Sequence, residues 1–304
     1  MRVLFIFLDG IGLGENDPAI NPLARAKMPN LNALLDGRSL IKDSAPFYGE
    51  HATLLAIDPA VGVSGLPQSA TGQGILVTGI NIPAKLGYHY GPKPNPEVAA
   101  FLKNGTLFSR FAKAGRKTAL LNAYPPRYFD GIDSGKRLYS SIPLAVTNAG
   151  LALFRHDDLF AGRALSADFT GEGWRTMLGF SESPAMDPHH AGCKLATLSQ
   201  AYDFSLFEYW ASDYAGHKQE METAIGLMET FDSVLGGLIE AWNKAGLILV
   251  TSDHGNMEDL STRKHTDANV PALVIGDKTA RDEFTQDMKD LTDIAPAIWK
   301  TVMS

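Results

Sequence analysis

Six short apolar runs limit what this 304-residue chain can fold into. Residues 3–8, 52–57, 117–122, 205–210, 247–251 and 271–275 are each about one strand long. The first is continuously apolar rather than alternating, as in a strand covered on both faces of a parallel sheet. Helical stretches stand between the runs. They cover 31–35 behind Pro29, 74–77, 107–114 and 291–303, with a long amphipathic one over 219–244. In that last stretch Ile225, Met228, Leu235, Leu238, Ile239 and Trp242 fall near helical spacing. Strand alternating with helix predicts an α/β fold: a doubly wound, mostly parallel sheet with helices on both faces. Between 126 and 195 no long periodic element stands out. The expected organisation is a core of 1–125 and 196–304, carrying a small inserted cap region over 126–195.

In such a sheet, ligands bind outside the carboxyl ends of the strands. Asp9 follows the first run, with glycines at 10, 12 and 14 behind it. The run 205–210 leads into Ser212-Asp213-Tyr214-Ala215-Gly216-His217, and 247–251 leads into Asp253-His254-Gly255-Asn256, with His265 eleven residues beyond His254. Carboxylates and imidazoles therefore stand at three independent strand ends. Asp213 and His217 are four apart, so one helical turn would put them on one face, able to chelate one ion. Asp253 and His254 are adjacent and point in different directions, as suits groups divided between two sites. Taken singly, an Asp-His pair or an Asp-x-x-x-His is an ordinary cap or ion pair; six such residues together read as a metal centre. Mixed carboxylate and imidazole donors suit Zn2+ or Mn2+. Two such ions about 3.5–4 Å apart form the clamp used in phosphoryl transfer. Glu258, Asp259 and Asp267, in the same acidic stretch, read as surface or outer groups.

The loop over 65–73 opens the helix expected at 74–77, whose N-terminal N–H groups favour an anion. It holds two hydroxyls, Ser69 and Thr71. His89, Gln73, Arg127 and Arg137 are candidate substrate contacts, Arg127 and Arg137 for a second anionic group; each also reads as an ordinary surface or capping residue.

A formal net charge of -7 argues against a nucleic-acid or anionic-membrane partner. The single cysteine, Cys193, permits no internal disulfide and reads as a buried thiol rather than a nucleophile. The run at 3–8 is too short for most signal-peptide cores, and Asp9-Gly10 ends it without a small-residue cleavage pattern. No stretch approaches the roughly 20 apolar residues of a membrane span. A cytoplasmic protein acting on a small phosphorylated substrate is expected, with a homo-oligomer possible.

Leu8-Asp9-Gly10-Ile11-Gly12, Asp213-Tyr214-Ala215-Gly216-His217, Ser252-Asp253-His254-Gly255-Asn256 and Lys264-His265-Thr266 together resemble the alkaline phosphatase superfamily, in particular its cofactor-independent phosphoglycerate mutase and phosphopentomutase branch. The resemblance implies two divalent metal ions, one held by Asp213, His217 and His265, the other by Asp9, Asp253 and His254. It also implies a nucleophile at Ser69, with Thr71 second, attacking a phosphate that bridges the metals and forming a phosphoserine. Water or a substrate hydroxyl then accepts the phosphoryl group: hydrolysis of a phosphomonoester or phosphodiester, or a phosphomutase reaction. Gln73 stands where the mutases usually carry His, and Gln68 where they carry Asn or Asp. The long inserted domain of the phosphoglycerate mutases is absent, as is the Cys/Ser-x-Pro-x-Arg motif of sulfatases. A non-catalytic metal-binding protein is the remaining reading, disfavoured by retention of all six ligands and Ser69.

Overall fold

The computed structural model describes residues 1–242 and 246–304. Its strands are β1 (Arg2–Leu8), β2 (Phe47–Tyr48), β3 (Ala52–Ile57), β4 (Thr118–Leu120), β5 (Ala123–Tyr124), β6 (Phe154–Arg155), β7 (Phe204–Tyr209), β8 (Gly246–Thr251) and β9 (Val270–Ile275). Seven form one sheet in the order β2-β3-β9-β8-β1-β7-β4, and β5 and β6 form a two-stranded piece of their own. β1 pairs in parallel with β7 and β8, and β4 in parallel with β7. β9 runs antiparallel to both β8 and β3, and β2 antiparallel to β3. The carboxyl ends of β1, β3, β7 and β8 therefore share one edge, on which the expected site residues converge.

Alternation along the strands sorts the core into two layers. Val3, Phe5, Phe7, Phe204, Leu206 and Leu249 face one side, packing on helices Ser69–Thr78, Leu107–Lys113, Ser141–Asn148 and Ile294–Met303. Leu4, Ile6, Leu8, Phe207, Tyr209 and Val250 face the other, against Pro188–Ser199 and Met221–Ala241. Burying each large apolar side chain contributes about 1.5–3 kcal/mol. With both faces of β1 covered, polar alternation there would strand polar groups in the core, hence the continuous apolar run. This is the α/β, doubly wound, mostly parallel architecture expected.

Several bounds differ from expectation. The long amphipathic helix is Met221–Ala241, and its expected end at Lys244 lies outside the described residues. The helix placed at 74–77 starts at Ser69, because Ala70 and Thr71 already pack as its buried first turn. Within 126–195, helix Ser141–Asn148 buries Ile142, Ala145 and Val146 in one core layer, and Pro188–Ser199 buries Ala191, Leu195 and Ala196 in the other. A small separate cluster forms around Leu159, Ala164 and Trp174. Among the described residues no helix is long and apolar enough to cross a membrane.

Candidate metal centre and active site

Gly10 makes the approach of β1 to β7 possible. Its φ is 69°, and a Cβ there would stand 2.7 Å from Asp213 Oδ1. Ser212 Oγ donates to the Asp9 carbonyl at 2.6 Å, tying the β7 end to the β1 end. Helix Ala211–Lys218 then supplies the turn anticipated for Asp213 and His217, with His217 Nε2 3.3 Å from Asp213 Oδ2. The β8 end is joined to β1 by the Met257 N–H, which donates to the Gly10 carbonyl at 2.9 Å. An antiparallel bridge between Gly255 and Thr266 folds the chain back, bringing His265 to Asp213 with Nε2 3.7 Å from Oδ1.

All six expected ligands thus meet. Asp213, His217 and His265 can offer atoms within 4.8 Å of one another, and so can Asp9, Asp213 and His254. Asp213 belongs to both groups and lies between the two positions. Asp253 stands beside the second group, its Oδ1 3.6 Å from His254 Nε2, while Asp9 Oδ1 is 3.4 Å from the same nitrogen.

The three imidazoles are oriented alike. Nδ1 faces the carbonyl of Arg263 in His217 (2.7 Å), of Pro67 in His265 (2.8 Å) and of Gly255 in His254 (3.3 Å). A carbonyl only accepts, so Nδ1 carries the proton and each Nε2 lone pair points inward, the arrangement of metal-bound histidine. Burial, followed by the charge of His265, pushes the His254 pKa well below its ordinary value; burial lowers that of His265 too. Burial raises the carboxyls of Asp9 and Asp253 well above theirs, followed by the charge of Asp253 on Asp9 and that of Asp213 on Asp253. Both Asp253 oxygens and Asp9 Oδ1 are buried with no hydrogen-bond partner. Orphaned buried carboxylate oxygens facing neutral imidazole lone pairs are what divalent cations satisfy. The donor set fits two ions.

Ser69 opens its helix, and its Oγ lies 3.0 Å from His254 Nε2. No side chain caps this helix terminus. Gly72 lets the helix sit against the β8 end, because a Cβ there would stand 2.8 Å from Asp253 Cβ. Thr71, the second candidate nucleophile, is fully buried and its hydroxyl is engaged with the carbonyls of Gln68 and Tyr90. It is a brace, not a nucleophile.

The expected substrate contacts are corrected in part. Gln73 is 3% exposed, and its buried Oε1 has no hydrogen-bond partner among the described residues. His89 directs Nε2 to the Val63 carbonyl at 3.2 Å and holds its loop. Arg127 is exposed on helix Pro126–Asp133 and, among the described residues, makes no hydrogen bond or ion pair with a site group. Arg137 lies 5.2 Å over the Tyr128 ring, and its charge acts on Lys93.

Three further residues stand behind the ligands. Asn256 donates from Nδ2 to Asp213 Oδ1 at 2.8 Å. Glu258 is 2% exposed and accepts from the N–H groups of Gly12 (2.9 Å) and Asn256 (2.7 Å) and from the Thr266 hydroxyl. Glu208, buried at the end of β7, accepts from Tyr124 Oη at 2.7 Å, and burial pushes its pKa up to about 7. An acid ending an otherwise apolar run was the available signal for Glu208; for Glu258 there was none beyond its neighbourhood.

A protein-family model described as Metalloenzyme superfamily matches residues 181–304. The 2,3-bisphosphoglycerate-independent phosphoglycerate mutase of Pseudomonas fluorescens is 32% identical over 113 residues, 34% of this chain and 22% of that protein. The enzyme of the same name from Desulforudis audaxviator is 34% identical over 106 residues, 33% of this chain and 20% of that protein. The matched stretch is thus about a fifth of these relatives' length. Among solved structures, the PH0037 protein from Pyrococcus horikoshii is similar with a TM-score of 0.57 at 16% identity, covering 99% of this chain and 96% of that one. A Leishmania mexicana phosphoglycerate mutase gives 0.51 at 12%, covering 99% and 95%. The alkaline phosphatase from the Antarctic bacterium TAB5 gives 0.50 at 13%, covering 99% and 98%. Residues 181–304 thus match the metalloenzyme superfamily model, and the whole chain shares the fold of these solved structures.

Proposed function

We propose, for a chain with the fold and ligand motifs of the alkaline phosphatase superfamily, phosphoryl transfer through a phosphoserine at Ser69, ending in hydrolysis of a small phosphomonoester or phosphodiester. The observation that carries this reading is Ser69 Oγ 3.0 Å from His254 Nε2, beside the orphaned carboxylates of Asp9 and Asp253. When bound, two divalent cations, Mn2+ or Zn2+, would neutralise phosphate charge and make the serine hydroxyl acidic enough to attack. Ser69 supplies the oxygen that bonds to phosphorus as the substrate's alcohol departs. The N–H groups of Ser69 and Ala70 at the helix start would take the phosphoryl oxygens, since those of Thr71 and Gly72 already donate to Tyr90 and Gln68. Asn256 fixes Asp213, and the carbonyls behind the histidines fix their rings, so the site needs little reorganisation as charge develops. Water then takes the phosphoryl group and regenerates Ser69. Likeness to phosphoglycerate mutases supports a second reading, in which a substrate hydroxyl is the acceptor.

Ser69→Ala is expected to lower p-nitrophenyl phosphate turnover by at least about 10^3-fold while metal content stays at two ions per chain. Turnover that survives both this substitution and chelation would remove the metal-assisted serine and leave unrelated chemistry. Phosphate release and isomerised product, scored together on a panel of sugar phosphates and phosphodiesters, separate the hydrolase from the mutase.

A further inference from the structure

The chain between β6 and helix Pro188–Ser199 holds none of the candidate metal ligands, yet it builds a cavity of its own. His156 and Phe160 begin and end helix His156–Phe160, four apart and therefore on one face. Leu159, 3% exposed, turns the other way into the small cluster with Ala164 and Trp174. That contact anchors the helix and leaves the face of His156 and Phe160 outward, with Phe160 40% exposed. Residues 179–182 form the facing wall. Phe180 packs on Trp174 with ring centroids 5.3 Å apart, and its N–H donates to the Trp174 carbonyl at 2.9 Å. The chain enters this wall through Gly179, whose φ of 80° would strain any side chain.

Between the two walls lies a cavity of about 630 Å3, with His156, Asp157, Phe160, Phe180, Ser181 and Glu182 in its lining. That volume is within the usual range of small-molecule sites. The His156 ring stands 6.1 Å from Phe180 and 6.2 Å from Phe160, inclined at 33° and 76°, so three rings border one space from different angles. Two carboxylates border it as well. Asp157 Oδ1 lies 2.9 Å from His156 Nε2, and Glu182 stands on the opposite wall. No lysine or arginine lines the cavity: Arg155 lies 3.9 Å over the Phe129 ring, and Arg163 pairs with Asp158 at 2.8 Å. An anion would meet two like charges here. A neutral apolar molecule would strip water from the carboxylates and return nothing. Among the described residues, the groups of three side chains close enough to hold a metal ion lie in the candidate metal centre, not here. A cation whose charge is spread over carbon suits both the rings and the carboxylates.

We propose that this cavity binds a small quaternary ammonium compound, its methyl groups against Phe160, Phe180 and His156 and its charge balanced by Asp157 and Glu182. The Ser181 hydroxyl adds one hydrogen-bonding group for a polar substituent. The inference goes beyond the phosphoryl-transfer reading and stands apart from it, since neither Ser69 nor any of the six candidate metal ligands lines the cavity.

Choline and its uncharged carbon isostere 3,3-dimethylbutan-1-ol, titrated against the full chain loaded with Zn2+ and followed by proton NMR, separate a cation site from an apolar one. Choline is expected to bind with a Kd of about 5 mM or tighter, and at least about tenfold tighter than the isostere. Phe160→Leu, which keeps apolar bulk and removes the ring face, should weaken choline about fivefold or more, while Phe160→Tyr should stay within about twofold of wild type. Asp157→Asn combined with Glu182→Gln should weaken choline about fivefold and leave the isostere unchanged. Phe160, Asp157 and Glu182 are exposed, so these variants should fold, as an unchanged melting temperature would confirm. Equal binding of the two compounds would make the cavity a general apolar depression. Absence of choline binding up to about 50 mM would leave no cation site at all. Choline binding that survives both the Phe160→Leu and the double carboxylate substitution would lie elsewhere on the molecule. Each of these three results overturns the proposal.

Discussion

Asp253 has both carboxylate oxygens buried and neither hydrogen-bonded. Ionised and without a cation, it burdens the folded state, since an unpaired buried charge is costly. Asp253→Asn should therefore act in opposite directions with and without metal. In chelator at pH 8 the variant is expected to melt about 3 °C or more above wild type. With Mn2+ present it should melt below wild type and hold less metal, as read by calorimetry and elemental analysis. A variant no more stable than wild type in chelator would show that this carboxylate is not a charge burden. The ligands themselves were legible in the sequence because each of Asp9, Asp213, Asp253 and His254 follows closely on an apolar run, where a parallel sheet exposes its edge. The inward role of Glu258 was not, because what makes it matter is its partners: Gly12 is 246 residues away, and nothing local announces that contact.

At the level of elements, three loops are joined by Glu258: the turn after β1 through Gly12, the turn after β8 through Asn256, and the returning segment through Thr266. Glu258→Ala leaves two buried N–H donors, of Gly12 and Asn256, unsatisfied at about 1–3 kcal/mol each and takes the acceptor from the half-buried Thr266 hydroxyl. The expected result is a fall in melting temperature together with weaker metal binding, since His265 and Asp213 are positioned by these loops. Glu258→Gln keeps an acceptor and should recover part of both. If metal affinity in Glu258→Ala equals that of wild type, the three-loop junction does not position the ligands. Strands were readable because a run buried on both faces has one composition whatever its partners. The start of the Ser69 helix was not: Gly72 looks like a loop residue, but it is required by the approach to Asp253. The stretch 126–195 hid its helices for a related reason, since Ser141–Asn148 and Pro188–Ser199 bury small faces in two different layers and show no sustained period.

The titrating groups of the site act on the stability of the whole molecule with two signs. Asp9, Asp253 and Glu208 have raised pKa values in the folded protein, so the fold binds more protons than the unfolded chain, and their contributions are lost as pH rises. For Glu208 that loss spans its ordinary 4.5 to about 7, a shift equivalent to about 3 kcal/mol. His254 and His265 are depressed below 6.5, so they bind fewer protons when folded and their contributions are lost as pH falls below 6.5. At and below that pH the two groups oppose each other; as pH rises past it the histidines become neutral in both states and the carboxyls come to dominate. Metal-free protein should therefore lose stability from pH 6.5 to 8. Metal-loaded protein should gain it over the same range, because cation binding needs deprotonated ligands and stabilises only the fold that presents them. Melting temperatures at the two pH values, in chelator and in Mn2+, should give slopes of opposite sign, with Glu208→Gln shallower than wild type in chelator. Slopes of the same sign would mean that the buried carboxylates and the cations do not compete for one cluster, and the two-ion centre would lose its physical basis.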